Sequence, residues 1–139
     1  MNKNYRVVDH TADLSVLVRG SGLDGLFTEA ARAMIDLICS IESVKPEKKF
    51  NIKVTGSSGE QLLVNVLQEI LYFHEVRNFV FCEFTIIRLT GSEVTGIALG
   101  EKYDTSRHEL LNHIKAVTYN NMRIIKRGRN YETFITFDI

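Results

Sequence analysis

Hydrophobic periodicity switches several times along this chain, and the order of the switches limits the folds open to it. Over residues 22–41, Leu23, Leu26, Phe27, Ala30, Met34, Leu37, Ile38 and Ile41 recur at the spacing of one helix face. Leu63, Val66, Leu67, Ile70, Leu71 and His74 do the same after Gly56-Ser57-Ser58-Gly59. Elsewhere the dominant period is two, the period of a strand with one buried face. Leu14, Val16 and Val18 alternate with Asp13, Ser15 and Arg19 over 13–19, and Phe50, Ile52 and Val54 alternate over 49–54. Val80, Cys82, Phe84 and Ile86 alternate over 79–88, and Tyr131, Thr133, Ile135 and Phe137 over 131–138, where Asp138 falls on the opposite face. Residues 5–9, 93–101 and 112–126 also read as strands, the last a long one, and the polar stretch 103–110 as a loop. Gly91-Ser92 and Arg127-Gly128-Arg129-Asn130 are turn signals. Parallel sheets need a long crossover between successive strands. Two helices among hairpin-linked strands instead predict an α+β domain, with both helices packed on a mostly antiparallel sheet.

Both helices carry start signals. Ser21 and Asp24 form an S-x-x-D start, and Ser58 with Gln61 forms a capping box. The 139 residues fit a single domain, 1–139, with no linker or repeat. Lys plus Arg and Asp plus Glu both number 17, so a wholly basic nucleic-acid binder is excluded. The balance is local: residues 111–139 hold Lys115, Arg123, Lys126, Arg127 and Arg129 against Glu132 and Asp138. The start, Met1-Asn2-Lys3-Asn4-Tyr5, lacks the apolar core of a signal peptide, and no apolar run approaches the roughly 20 residues that span a membrane. Cys39 and Cys82 sit in apolar runs without a C-x-x-C pair, as buried thiols of a reducing compartment do. The expectation is a cytoplasmic protein.

Gly20-Ser21-Gly22-Leu23-Asp24-Gly25 matches the dinucleotide fingerprint G-x-G-x-x-G between a strand and a helix. No acidic residue follows at the end of the next strand, where Val54 gives way to Thr55-Gly56, and the hairpin-rich remainder does not suit a doubly wound sheet. The run reads as a tight turn. No Walker A loop is present, and His10, His74, His108 and His113 have no zinc-type spacing.

The chain's remaining chemistry lies at its two ends. His10-Thr11-Ala12-Asp13 reads either as a turn with local side-chain hydrogen bonds or as part of a site. Asp138-Ile139 offers two carboxylates, one of them terminal. If the first and last strands are neighbours, Asp13, Asp138 and the Ile139 carboxylate converge. Such a cluster repels itself unless a cation or basic group compensates it, and Lys115 is a candidate for that role. Hard cations, Ca²⁺ or Mg²⁺, favour oxygen ligands grouped in this way. Arg107-His108 is either a solvated loop or a phosphate or partner contact, a role also open to His10.

Several segments in order resemble one family. They are His10-Thr11-Ala12-Asp13, Leu26-Phe27-Thr28-Glu29-Ala30-Ala31, Asn65-Val66-Leu67-Gln68-Glu69-Ile70-Leu71-Tyr72, Gly100-Glu101, Arg107-His108, Ile114-Lys115-Ala116-Val117-Thr118-Tyr119 and Phe137-Asp138-Ile139. Together they resemble archease across the whole chain. The resemblance implies a small α+β protein cofactor, chaperone-like in its action, that is not itself an enzyme. Its partner would be the tRNA-splicing RNA ligase, which joins a 3′-phosphate or 2′,3′-cyclic phosphate end to a 5′-hydroxyl end with GTP and divalent metal. RNA would be met only through that ligase. It further implies that the chain promotes guanylylation of the ligase and multiple turnover. The family's metal-site residues map onto Asp13, Asp138 and Ile139, and an activating lysine onto Lys115. Asn120 stands where the family pattern has His. Two readings from other classes remain: a metal-dependent phosphoester hydrolase using Asp13, Asp138, His10 and His108, and an RNA-binding module using the basic hairpin at 123–129.

Overall fold

Two antiparallel sheets, rather than one, carry the strands. The computed structural model describes residues 4–9, 13–119 and 121–139. In chain order the elements are β1 (Tyr5–Asp9), β2 (Asp13–Ser21), α1 (Gly22–Ile38), a 3-10 turn (Ile41–Ser43), β3 (Lys48–Thr55), α2 (Gly59–Glu75), β4 (Phe79–Leu89), β5 (Glu93–Lys102), β6 (Ala116–Val117), β7 (Ile125–Arg127) and β8 (Asn130–Asp138). The first sheet runs β1-β2-β8-β6, with β7 also paired to β8; the second runs β3-β5-β4. Every one of these pairings is antiparallel. The α+β class expected from the periodicity is the class observed.

The helices fill the space between the sheets. α1 packs on β2 and β8 of the first sheet and on β4 of the second, and α2 packs on β3, β4 and β5 and on β6. A helix pressed from both sides needs a broad apolar face. α1 provides one with Leu26, Phe27, Ala30, Ala31, Ala33, Met34, Ile35 and Ile38, all buried. Phe137 and Ile135 of β8 and Leu63, Leu67 and Ile70 of α2 complete the fully buried centre. β8 is thereby anchored along its inner face, and its outer-facing Asp138 is held in a fixed position.

Two start signals resolve differently from their motifs. Ser58 Oγ accepts the Gln61 N–H at 3.1 Å, as a capping box requires, but the Gln61 side chain reaches the Ser57 N–H, one residue before the cap. Ser21 occupies the N-cap of α1 and makes no side-chain capping bond. The glycines beside it have a packing reason: a Cβ on Gly20 would fall on the backbone of Gly25 and Leu26. Gly22 adopts φ +72°, a left-handed conformation that glycine takes without strain. The G-x-G-x-x-G run therefore lets β2 and the start of α1 touch, as the turn reading expected.

The long strand expected over 112–126 is a correction. Among the described residues of this span, only Ala116–Val117 and the start of Ile125–Arg127 form strands, and both strands pair with β8, at its opposite ends. Between them Asn121 takes φ 59°, a left-handed conformation that interrupts an extended run, and Met122 turns into the core. α1 also stops at Ile38, because Cys39 is extended and bridges to Leu110.

Candidate functional site

Asp13 opens β2 and Asp138 closes β8, and the register sets them directly opposite one another. Cross-strand partners hold their Cβ atoms about 4.5–5.5 Å apart. On the other side of β8, Ala116 lies opposite Asp138, and the Lys115 N–H donates to the Asp138 carbonyl at 2.7 Å. Asp13, Asp138, Ile139 and Lys115 therefore meet at one end of the first sheet. His10-Thr11-Ala12, which precede Asp13, and Asn120 lie outside the described residues.

One atom at this end is anomalous. Asp13 Oδ1 is enclosed and has no hydrogen-bond partner among the described residues. A buried polar atom without a partner is destabilising, and an ion or ordered water is the usual explanation. Among the described residues the exposed Lys115 side chain makes no ion pair with either carboxylate. No three His, Cys, Asp or Glu side chains gather as a metal site among the described residues. The donor set of the cross-strand pair is oxygen alone: two side-chain carboxylates. That chemistry fits a hard cation and not zinc.

The next pair along the same face is Ser15 opposite Thr136, whose hydroxyls lie 2.9 Å apart. Sequence reasoning placed Ser15 on the polar face of β2 but had no signal for its partner. The acidic pair lies at the surface rather than in a deep cleft. A cleft of about 440 Å³ between α1 and β4 is lined by Thr28, Arg32, Cys82 and Phe84 among others. A second, of about 610 Å³, is lined by Thr55, Asn65, Gln68 and Tyr72. Neither of these two clefts is lined by Asp13 or Asp138.

Arg107 and His108 are turned to structural work, which corrects the phosphate-contact expectation for His108. The Asp104 N–H donates to His108 Nδ1 at 2.9 Å, so Nε2 carries the proton and donates to Glu101 Oε2 at 2.9 Å. Both ring nitrogens are used and the ring is buried. Glu101 also accepts the Lys45 N–H at 2.7 Å and pairs with Arg107, which pairs in turn with Asp104. The Arg107 hydrogen bond, helped by Lys45 and His108, holds the Glu101 carboxyl down to about 2 against the opposing effect of burial. The cluster fastens the 103–110 loop and does not include the acidic pair. In the basic hairpin, Arg127 and Arg19 both pair with Glu132, which neutralises part of its charge. Cys39 is buried, and the half-buried Cys82 thiol is pushed up by burial and by Glu83 and Glu101, so neither is an activated nucleophile.

The class so defined is a small antiparallel α+β domain with an acidic pair at one sheet end. Comparison with known proteins narrows the class. Residues 5–139 match the archease protein family. A protein archease of Methanopyrus kandleri is 38% identical over 86% of this chain and 88% of its own length. One of Methanosarcina mazei is 34% identical over 99% and 97%, and a protein archease-like of Drosophila melanogaster is 31% identical over 97% and 90%. The solution structure of protein 1598 of Methanobacterium thermoautotrophicum superposes with a TM-score of 0.84 at 25% identity, covering 99% of this chain and 100% of that one.

The chain belongs to the archease family. At the level of the family, membership carries a cofactor role in RNA-ligase-dependent tRNA processing. Among the described residues no helix is long and apolar enough to cross a membrane.

Proposed function

We propose that this chain activates a tRNA-splicing RNA ligase in the cytoplasm by presenting its acidic sheet end to the ligase while the ligase is guanylylated. The observation that carries the reading is the Asp13–Asp138 cross-strand pair, with an enclosed Asp13 oxygen that has no partner among the described residues. Two carboxylates directly opposite one another destabilise a sheet, and such a pair is retained where a site needs it. Asp13, Asp138 and the Ile139 terminal carboxylate hold a Ca²⁺ or Mg²⁺ ion. When bound, such an ion neutralises charge that develops on a transferring phosphoryl group. The anchoring of β8 by Phe137 and Ile135 keeps the two carboxylates at fixed separation, so the partner meets a preformed cluster. Lys115, held next to Asp138 through its own main chain, places an ammonium at the rim, where a nucleotide phosphate or a carboxylate of the ligase can pair with it.

The hydrolase alternative loses one of its two proposed histidines, because His108 is spent on Glu101 and Asp104; His10 lies outside the described residues. The test is multiple-turnover ligation by the cognate ligase with GTP and metal. Addition of this protein should convert a single round into repeated rounds, and the protein alone should turn over neither RNA ends nor phosphoesters. A ligase whose turnover is indifferent to the protein overturns the reading.

A further inference from the structure

We infer that the Ser15–Thr136 hydroxyl pair is the neutral wall of the cation site and holds water that completes the coordination of an ion bound by Asp13 and Asp138. The inference rests on the reading of the acidic pair given above. Period-two alternation puts Asp13 and Ser15 of β2 on one face, and the register puts Thr136 and Asp138 of β8 beside them on that face. One step further along come Leu17 and Phe134, and Phe134 is 52% exposed. Ser15 is only 6% exposed on this same outer face. It is therefore enclosed beside the carboxylates rather than laid open on the sheet.

The hydrogen-bonding capacity of the pair points to a ligand. Two hydroxyls carry two protons and four lone pairs, and their mutual bond at 2.9 Å uses one of each. One proton and three lone pairs remain, next to an Asp13 oxygen that has no partner among the described residues. Same-face neighbours on a strand have Cα atoms about 6.6–6.8 Å apart, a spacing across which polar side chains are joined through water. Ca²⁺ takes 6–8 oxygens and Mg²⁺ keeps several of its waters, so two or three carboxylates leave positions for water. Water bound to a cation donates, and it needs acceptors fixed at the right distance. The spare lone pairs of Ser15 and Thr136 are such acceptors, and their neutrality adds no repulsion to that of the two aspartates.

A cross-strand Ser–Thr pair can instead serve only to fasten two strands. Calorimetric titration of the full chain with calcium chloride and with magnesium chloride, alongside melting curves of the metal-free variants, separates the two roles. Ser15→Ala and Thr136→Val should each weaken cation binding by about 10-fold, as loss of a group that orients metal-bound water does. The double variant should be little worse than either single one, Ser15→Thr should retain affinity, and Phe134→Leu further along the face should not affect it. If Ser15→Ala and Thr136→Val lower the melting temperature but leave cation affinity intact, while Asp13→Asn abolishes binding in the same titration, the pair only fastens strands and the inference is overturned. If Asp13→Asn keeps full affinity, the ion does not sit on the acidic pair, and the functional reading fails together with the inference.

Discussion

Replacing Glu101 with Gln is the sharpest test of the internal clamp, because it removes one charge and almost no volume. Glu101 is 3% exposed and accepts from Lys45, Arg107 and His108. Its carboxyl titrates at about 2 in the folded chain against an ordinary 4.5. Such a difference corresponds to about 3 kcal/mol, since each tenfold change in proton affinity is worth 1.36 kcal/mol. Arg107 supplies the largest part and its side chain is 39% exposed, so screening by solvent reduces the usable value to about 2 kcal/mol. For a chain of this length the melting temperature should fall by about 6–8 °C at pH 7. The pH dependence has a definite sign. Glu101 binds its proton more weakly when folded, so its contribution is complete above about pH 4.5 and is lost as the pH falls through about 2. Gln does not titrate, so the gap between the two proteins should be full at pH 7 and should close across that window. Differential scanning calorimetry of both proteins at pH 7, 4 and 2.5 reads this directly. A gap that is negligible at pH 7, or that is the same at pH 2.5 as at pH 7, would refute the clamp and return Arg107 and His108 to the surface role expected from sequence.

Three further outcomes follow from named contacts. Asp13→Asn should stabilise the cation-free chain by about 1 kcal/mol, because it removes one of two opposed charges; melting in a chelator reads the effect, and a lower melting temperature contradicts the repulsion. Gly20→Ala should lower stability by about 3 kcal/mol or more or prevent folding, since its Cβ meets the backbone of Gly25 and Leu26; a fully stable variant in denaturant titration would show that β2 and α1 do not touch there. Appending one glycine after Ile139 should weaken cation binding in calorimetry without altering the melting temperature of the metal-free chain, and unchanged affinity would remove the terminal carboxylate from the site.

How far this architecture is legible in the residues depends on what each pattern encodes. The alternation of Leu14, Val16 and Val18 and of Thr133, Ile135 and Phe137 assigns a buried face, and those side chains are buried. Alternation does not say which strand lies alongside. The split into two sheets, the Ser15–Thr136 pair and the face-to-face placement of Asp13 and Asp138 were therefore beyond it, and the last was stated only as conditional on neighbouring strands. Residues 112–126 misled because apolar content alone does not mark where Asn121 turns left-handed and Met122 dips into the core. The burial of His108 was not legible, because a charged loop reads the same whether its side chains face water or a buried acid. The deciding residue, Glu101, stands six positions earlier in a strand where its type gives no sign of burial. His10 and Asn120 fall outside the described residues, so the structure says nothing of the roles raised for them.

The central claim is that the acidic sheet end acts on the ligase. The most direct measurement is the rate of GMP transfer from GTP to the cognate ligase in the presence of the wild-type chain, Asp13→Ala, Asp138→Ala, Lys115→Ala and the hairpin controls Lys126→Ala and Arg129→Ala, each with its melting curve. Asp13, Asp138 and Lys115 fill no apolar space in the core, so their truncations should melt like the wild type and still fail to stimulate transfer, while the hairpin controls stimulate normally. Full stimulation by Asp13→Ala and Asp138→Ala would contradict the account.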